Sequence, residues 1–273
     1  MKVSNRILIY SLILLTLSLI GSITLNFIIY NAANRYYRQV NSTRLDPLGL
    51  NVYQSSESPA QTIKFDRPTV LFFGDSRASA WTHPSDIEDF NFINRGIGAQ
   101  TTAQVQQRFD RHVAPLAPDI LILQVGVNDL KTIPLFPQWK DEIIERCKRN
   151  IQQIVTDARQ QNSIVILSTI FPLGKLPIER KPFWSEDVDL AIEDVNTFIE
   201  SLADRDAIVF QTKPILAGEG ESVKDEYRLD FLHINETGYA ALNRELVELL
   251  QTIELAERSQ NRDNSEIDRV SFN

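Results

Sequence analysis

Four short stretches of the chain carry side chains that could act together on a carbonyl group. They are Gly74-Asp75-Ser76-Arg77-Ala78, Asn94 to Thr102 (NRGIGAQTT), Gly126-Val127-Asn128-Asp129 and Asp230-Phe231-Leu232-His233. A serine hydroxyl such as that of Ser76 is a weak nucleophile unless a base takes its proton. His233 is the candidate base, because an imidazole can take up and give back a proton in neutral solution. Asp230, three residues earlier, is close enough to fix the imidazole tautomer and to stabilise the imidazolium. A tetrahedral intermediate also needs donors aimed at its oxyanion. The candidates are the Ser76 amide, an amide of the Gly98-Ala99 turn and the Asn128 side chain.

These stretches need a scaffold that brings them to one edge. Between about 67 and 253 the chain alternates β-rich runs with amphipathic ones. The strand candidates are Thr69 to Phe73, Phe90 to Asn94, Asp119 to Val125, Ser163 to Ile170 and Ala207 to Phe210. Helix-like stretches lie at Thr101 to Val113, Gln138 to Gln160, Glu186 to Asp204 and Glu236 to Leu250. In the first of these, Val105, Phe109 and Val113 share a face. Runs such as Ile120-Leu121-Ile122-Leu123 are apolar throughout, as expected of parallel strands covered on both faces. Strand–helix alternation of this kind predicts βαβ units in a three-layer α/β sandwich. In open parallel sheets, ligands bind beyond the C-terminal strand ends. The first three stretches follow strands, and the fourth precedes the last helix of the domain, so all four converge on one rim.

Jointly and in this order, the four blocks resemble those of the SGNH hydrolases, also called GDSL-type esterases and lipases. The resemblance covers about 69–250. It implies an α/β/α sandwich with a mostly parallel, flavodoxin-like sheet, and hydrolysis of esters or thioesters with no cofactor and no metal. It further implies Ser76 as nucleophile, His233 as base and Asp230 as its partner. The oxyanion hole would draw on Ser76, Gly98, Ala99 and Asn128.

Two positions depart from the family pattern. Ala99 stands where the second block usually has a glycine, with Gly98 beside it. An alanine amide donates equally well, provided the residue tolerates the local φ. Arg77 follows the serine where a smaller or apolar residue is frequent; it is expected to brace a nearby carboxylate or to hold an anionic group of the substrate. An α/β-hydrolase is the rival serine-hydrolase reading, since Gly74-x-Ser76-x-Ala78 loosely mimics a nucleophile elbow. The serine here follows the first strand of the domain, and Asp230 and His233 are three residues apart, which argues against it. Each motif alone also has a bland reading: Ser76 as a helix cap, Asn128-Asp129 as a turn pair, and Asp230 and His233 as helix-entry residues. Asp129 is expected to hold its loop, and His83 and His112 to be surface or packing residues. Cys147 is expected in the core. The aromatics Trp81, Phe136, Trp139, Phe183 and Trp184 lie in loops that would either line an acyl or sugar pocket or lid the core.

Composition narrows the classes further. The 273 residues carry a formal charge of −8, which argues against nucleic acid as a partner. One cysteine and three histidines leave little for a metal centre and no intrachain disulfide.

Charge is absent from Ile7 to Asn34, and Ile7 to Tyr30 would span about 36 Å as a helix against about 30 Å of hydrocarbon. That is too long for a signal-peptide core and too apolar for a soluble helix, so a single transmembrane anchor is expected. Lys2 and Arg6 favour a cytoplasmic N-terminus and a domain outside the cytoplasm, while Arg35, Arg38 and Arg44 oppose it. The expected organisation is a basic N-terminus (1–6), an anchor (7–30), a linker (31–66), the hydrolase domain (67–253) and a charged, fraying tail (254–273). The function this predicts is a membrane-anchored serine esterase acting on an acylated lipid, glycan or small molecule. The alternatives are an O-acyltransferase on an envelope glycan and an inactive domain that binds a glycan or a partner.

Overall fold

The structure, a computed structural model, describes residues 5–53, 67–218 and 220–271. The chain divides into two units, 1–49 and 50–273. The first contains one helix, α1 (Asn5–Leu45), with an apolar window of mean hydropathy 2.3, none of it buried. By length and composition this helix can cross a membrane. It does not stop at Tyr30, the end of the expected anchor. Residues 31–45, expected as linker, continue the helix. Asn41, Ser42 and Thr43 bond back to carbonyls three or four residues earlier, so polar side chains read as turn formers serve the helix instead. The rest of the expected linker, 54–66, lies outside the described residues.

The second unit is built on five parallel strands: β1 (Thr69–Gly74), β2 (Asn91–Gly96), β3 (Ile120–Gln124), β4 (Ile164–Ser168) and β5 (Ala207–Phe210), in the order β2-β1-β3-β4-β5. Helices α2 (Ser76–Ser79), α3 (Thr102–Gln107), α4 (Phe109–His112), α5 (Val127–Leu130), α6 (Lys140–Gln160), α7 (Glu186–Ser201), α8 (Lys213–Leu216) and α9 (Glu236–Ser271) lie between and after the strands. The α9 backbone runs through the segment expected to fray; its side chains past Ile253 and residues 272–273 lie outside the description.

Strand side chains alternate between the two faces. Leu71, Phe73, Leu121, Leu123, Val165 and Leu167 pack with α6 and α7 residues such as Cys147, Ile151 and Val195. Val70, Phe72, Ile120, Ile122 and Ile166 pack with Leu242, Leu246 and Leu250 of α9. Every residue of β1 and β3 is buried, which explains their unbroken apolar sequence. This is the three-layer α/β/α sandwich, and its strand order is flavodoxin-like. The order reverses between β1 and β3, the point at which open parallel sheets bind ligands, and Ser76 and Asn128 follow the C-terminal ends of these two strands.

Candidate active site

Strand β1 ends on Gly74, at φ +146°, and a Cβ there would sit 1.8 Å from the Gln124 carbonyl oxygen of β3. Only glycine lets the chain turn this tightly against its neighbour. Asp75 then caps α2, its Oδ1 accepting from the Arg77 amide at 2.9 Å, and Ser76 is the first residue of that helix. Asp75 is fully buried; burial pushes its carboxyl up, against the charge and amide of Arg77.

Ser76 Oγ lies 2.9 Å from His233 Nε2. His233 Nδ1 lies 2.9 Å from Asp230 Oδ2, and the other oxygen, Oδ1, accepts from the amides of Leu232 (2.6 Å) and His233 (2.8 Å). A carboxylate cannot donate, so Nδ1 carries the proton and Nε2 is left to accept from the serine. Partial burial pushes the Asp230 carboxyl up, but the bonds from the His233 ring and the two amides outweigh it and hold the group below its ordinary value. The geometry can abstract a proton from Ser76 and return it to a leaving group.

The oxyanion candidates gather on the other side of the serine. A Cβ on Gly98 would sit 3.9 Å from the Ser76 Cβ, so the second-block turn lies against Ser76. Ala99 has φ +63°, the left-handed conformation that L-residues adopt at a cost of about 1 kcal/mol. Alanine therefore keeps the backbone shape that glycine takes without strain. Asn128 is buried; its Nδ2 donates to the Gln100 carbonyl (3.0 Å) and to Asp75 Oδ2 (3.3 Å), and its Oδ1 accepts from Lys131 Nζ (2.6 Å). Asp129 accepts from the Thr102 amide (2.8 Å) and hydroxyl (2.7 Å), tying the third block to the second. Burial pushes its carboxyl up to about 6.

Among the described residues, no carboxylate forms an ion pair with the Arg77 side chain. It is fully buried, and its Nε donates to the Leu232 carbonyl (2.9 Å) and its Nη1 to that of Phe171 (3.4 Å). It thus holds the strand of chain just before His233. Arg108 is a second buried cation that no motif in the sequence marks. It too is fully buried, bonding Gln100 Oε1 (2.6 Å) and the Gly74 carbonyl (2.8 Å) and lying 4.4 Å over the Phe73 ring. A cation three residues after Val105, on the apolar side of its helix, was the signal for it. Of the other histidines, His112 is buried on Tyr53 and Arg108, and His83 stacks on Phe92. Cys147 is buried in the core. Trp81 is core, packed on Phe72, Phe171, Phe210 and Tyr239. Trp184 packs edge-on against Phe231, beside Asp230. Phe136 and Trp139 stack on one another at the surface.

A serine after β1, a buried asparagine after β3 and an Asp/His pair before α9 thus come from separate stretches of the chain, with the serine hydrogen-bonded to the histidine and the histidine to the aspartate. The chain matches the GDSL-like Lipase/Acylhydrolase family over residues 72–241, well over half its length, and belongs to that family of ester-bond hydrolases. Among solved structures it is similar to a GDSL-like lipase from Bacteroides thetaiotaomicron, with 22% identity, 76% of this chain and 98% of that one covered, and a TM-score of 0.61. It is also similar to the acetyl xylan esterase AlAXEase (20%, 66% and 98%, TM-score 0.54) and to a catalytic mutant of an acetylxylan esterase from Geobacillus stearothermophilus (16%, 68% and 95%, TM-score 0.50). At such identities these likenesses establish the shared fold. No curated protein matches the chain.

Proposed function

We propose that the chain is a membrane-anchored serine esterase that works through an acyl-enzyme. The observation that carries this reading is the unbroken relay Asp230–His233–Ser76, with both links at 2.9 Å. Ser76 Oγ attacks the ester carbonyl carbon as its proton passes to His233 Nε2, and the carbonyl electron pair moves onto oxygen. The Ser76 amide, the Gly98-Ala99 turn and Asn128 receive that negative charge. Collapse breaks the bond to the alcohol oxygen, which takes the proton from His233, and leaves an acyl ester on Ser76. Water, losing a proton to His233, then releases the carboxylic acid and restores the hydroxyl. The substrate is an acylated lipid, an O-acyl glycan or a small ester. The apolar, unburied α1 supports anchoring, with the N-terminus cytoplasmic and the hydrolase unit on the other side.

The test uses the full chain in detergent. Wild type takes up a fluorophosphonate on Ser76, and Ser76→Ala loses labelling and roughly a thousandfold or more of kcat/KM on a p-nitrophenyl ester. Its melting temperature stays within about 2 °C of wild type, because the change removes one partly buried hydroxyl. A folded wild type that forms no adduct, or an active Ser76→Ala, ends the serine-esterase reading. Protease added to intact cells, or to spheroplasts where there is an outer membrane, should degrade the hydrolase unit; full protection reverses the orientation.

A further inference from the structure

Lys131 follows α5 directly and is half-buried beside Asn128. Its ammonium donates to Asn128 Oδ1 at 2.6 Å, and among the described residues no carboxylate lies within ion-pairing distance of it. A partly buried ammonium is costly, and a carboxylate partner is the usual way to offset that cost. Here the partner is instead the neutral carbonyl oxygen of a side chain in the expected oxyanion hole.

We propose that Lys131 is a positioning residue of the esterase site: by clamping Asn128 Oδ1 it fixes the carboxamide so that Nδ2 faces the wall between the Ser76 turn and the Gly98-Ala99 turn, and it polarises that N–H toward a developing oxyanion. The proposal rests on the serine-esterase reading. Three features carry it. The first is the orientation of the amide. With Oδ1 taken by a cation, which can only donate, the oxygen end is assigned and Nδ2 is the end directed at Gln100 and Asp75. The second is unused capacity. The Nδ2–Asp75 contact, at 3.3 Å, is at the long end for a hydrogen bond, so the N–H remains available to the stronger acceptor that forms as charge moves onto the carbonyl oxygen. The third is timing. A positive charge one amide away from the oxyanion acts most strongly when that oxygen is negative, so it favours the transition state over the bound ester.

The charge is conditional on pH. Burial pulls the Lys131 ammonium below its ordinary value; the Arg180 and Arg77 guanidiniums act in the same direction, and the Asp75 and Asp129 carboxylates oppose them. Losing that proton removes the charge and leaves only the weaker donor of a neutral amine on Oδ1, so the alkaline side of the kcat profile reports on this residue.

The experiment compares wild type, Lys131→Met, Lys131→Arg and Ser76→Ala, all as full chains in detergent, on a neutral p-nitrophenyl ester across pH. Lys131→Met should lower kcat about tenfold to a hundredfold with KM within about twofold, since removing an oxyanion donor outright costs roughly a hundredfold or more. Lys131→Arg should recover most of the rate and move the alkaline fall in kcat to higher pH, because a guanidinium keeps its proton. The rate of fluorophosphonate labelling gives a second readout in each variant that melts like wild type, and Lys131→Arg carries the test if the methionine variant does not fold. The proposal is overturned if kcat is unchanged, if only KM moves, or if Lys131→Arg keeps the wild-type alkaline limb. Loss of activity in Ser76→Ala together with full activity in Lys131→Met removes Lys131 alone; activity retained in Ser76→Ala removes the esterase reading beneath it.

Discussion

The two halves of the site are held in different ways. Asp75, Asn128 and Asp129 expose 0%, 4% and 8% of their surface, while the His233 and Asp230 side chains expose 31% and 49%. The buried half is cross-linked between segments far apart in sequence: Asn128 to Asp75 and Gln100, and Asp129 to Thr102. The exposed half holds itself by a local turn in which the Asp230 carboxylate takes three bonds from Leu232 and His233, with Arg77 gripping it from beneath. A donor wall for developing charge must already be in place when charge appears, so burial suits it. A base that trades protons with an alcohol and with water must be reached by both. Substitutions in the exposed half should therefore damage turnover with little loss of stability, and those in the buried half should damage stability as well.

The sharpest way to break this contrast is Asp230→Asn. The amide would leave the His233 tautomer unassigned and the imidazolium without its counter-charge, so kcat should fall roughly a hundredfold or more in a steady-state ester assay. The melting temperature should move little for so exposed a group; a large drop in melting would mean that the loop is structural after all. Arg77→Met tests the grip from beneath. It leaves the Leu232 and Phe171 carbonyls without their donor, at a cost of about 2 kcal/mol in chemical unfolding. Hydrogen exchange should quicken at the Leu232 and His233 amides while β1 keeps its protection; uniform loosening would deny Arg77 its selective role.

Asp129→Asn probes the buried half through pH. With its native carboxyl pushed up to about 6, the fold binds the Asp129 proton more tightly than the unfolded chain does. Ionisation therefore costs stability, in full above about pH 6, and the cost fades as pH falls toward the ordinary value of 3.8. The asparagine variant has no such term. Wild type should thus gain about 2 kcal/mol on Asp129→Asn between pH 7.5 and pH 4.5 in matched unfolding curves, and a constant gap would contradict the shift. The smallest effect is expected of Ala99→Gly. Relief of the left-handed strain and the added freedom of the unfolded chain oppose one another, leaving stability within about 1 kcal/mol and turnover unchanged.

Much of this was legible in the sequence because its signals are local. Unbroken apolar runs mark strands covered on both faces, and residues placed just after them mark the rim, so the sheet, Ser76, Asn128, Asp230 and His233 could all be named from one string. What stayed hidden depends on partners far along the chain. Arg77 binds a carbonyl 155 residues away, and carbonyls leave no mark in a sequence. Arg108 and Gln100 form a brace that makes sense only once α3 and α4 have docked. The extent of α1 is hidden for another reason: Asn, Ser and Thr can bond the backbone of a turn or of a helix, and the pattern alone does not say which.

Ser76 and His233 stand 157 residues apart, and the helix that seats the base is the last element of the fold. During synthesis Ser76 emerges long before His233, so on the serine-esterase reading proposed above the hydroxyl has nothing to give its proton to until the chain has passed position 233. Reactivity on that reading is a late event in the life of each molecule. A chain cut short before His233 would carry the serine without its base.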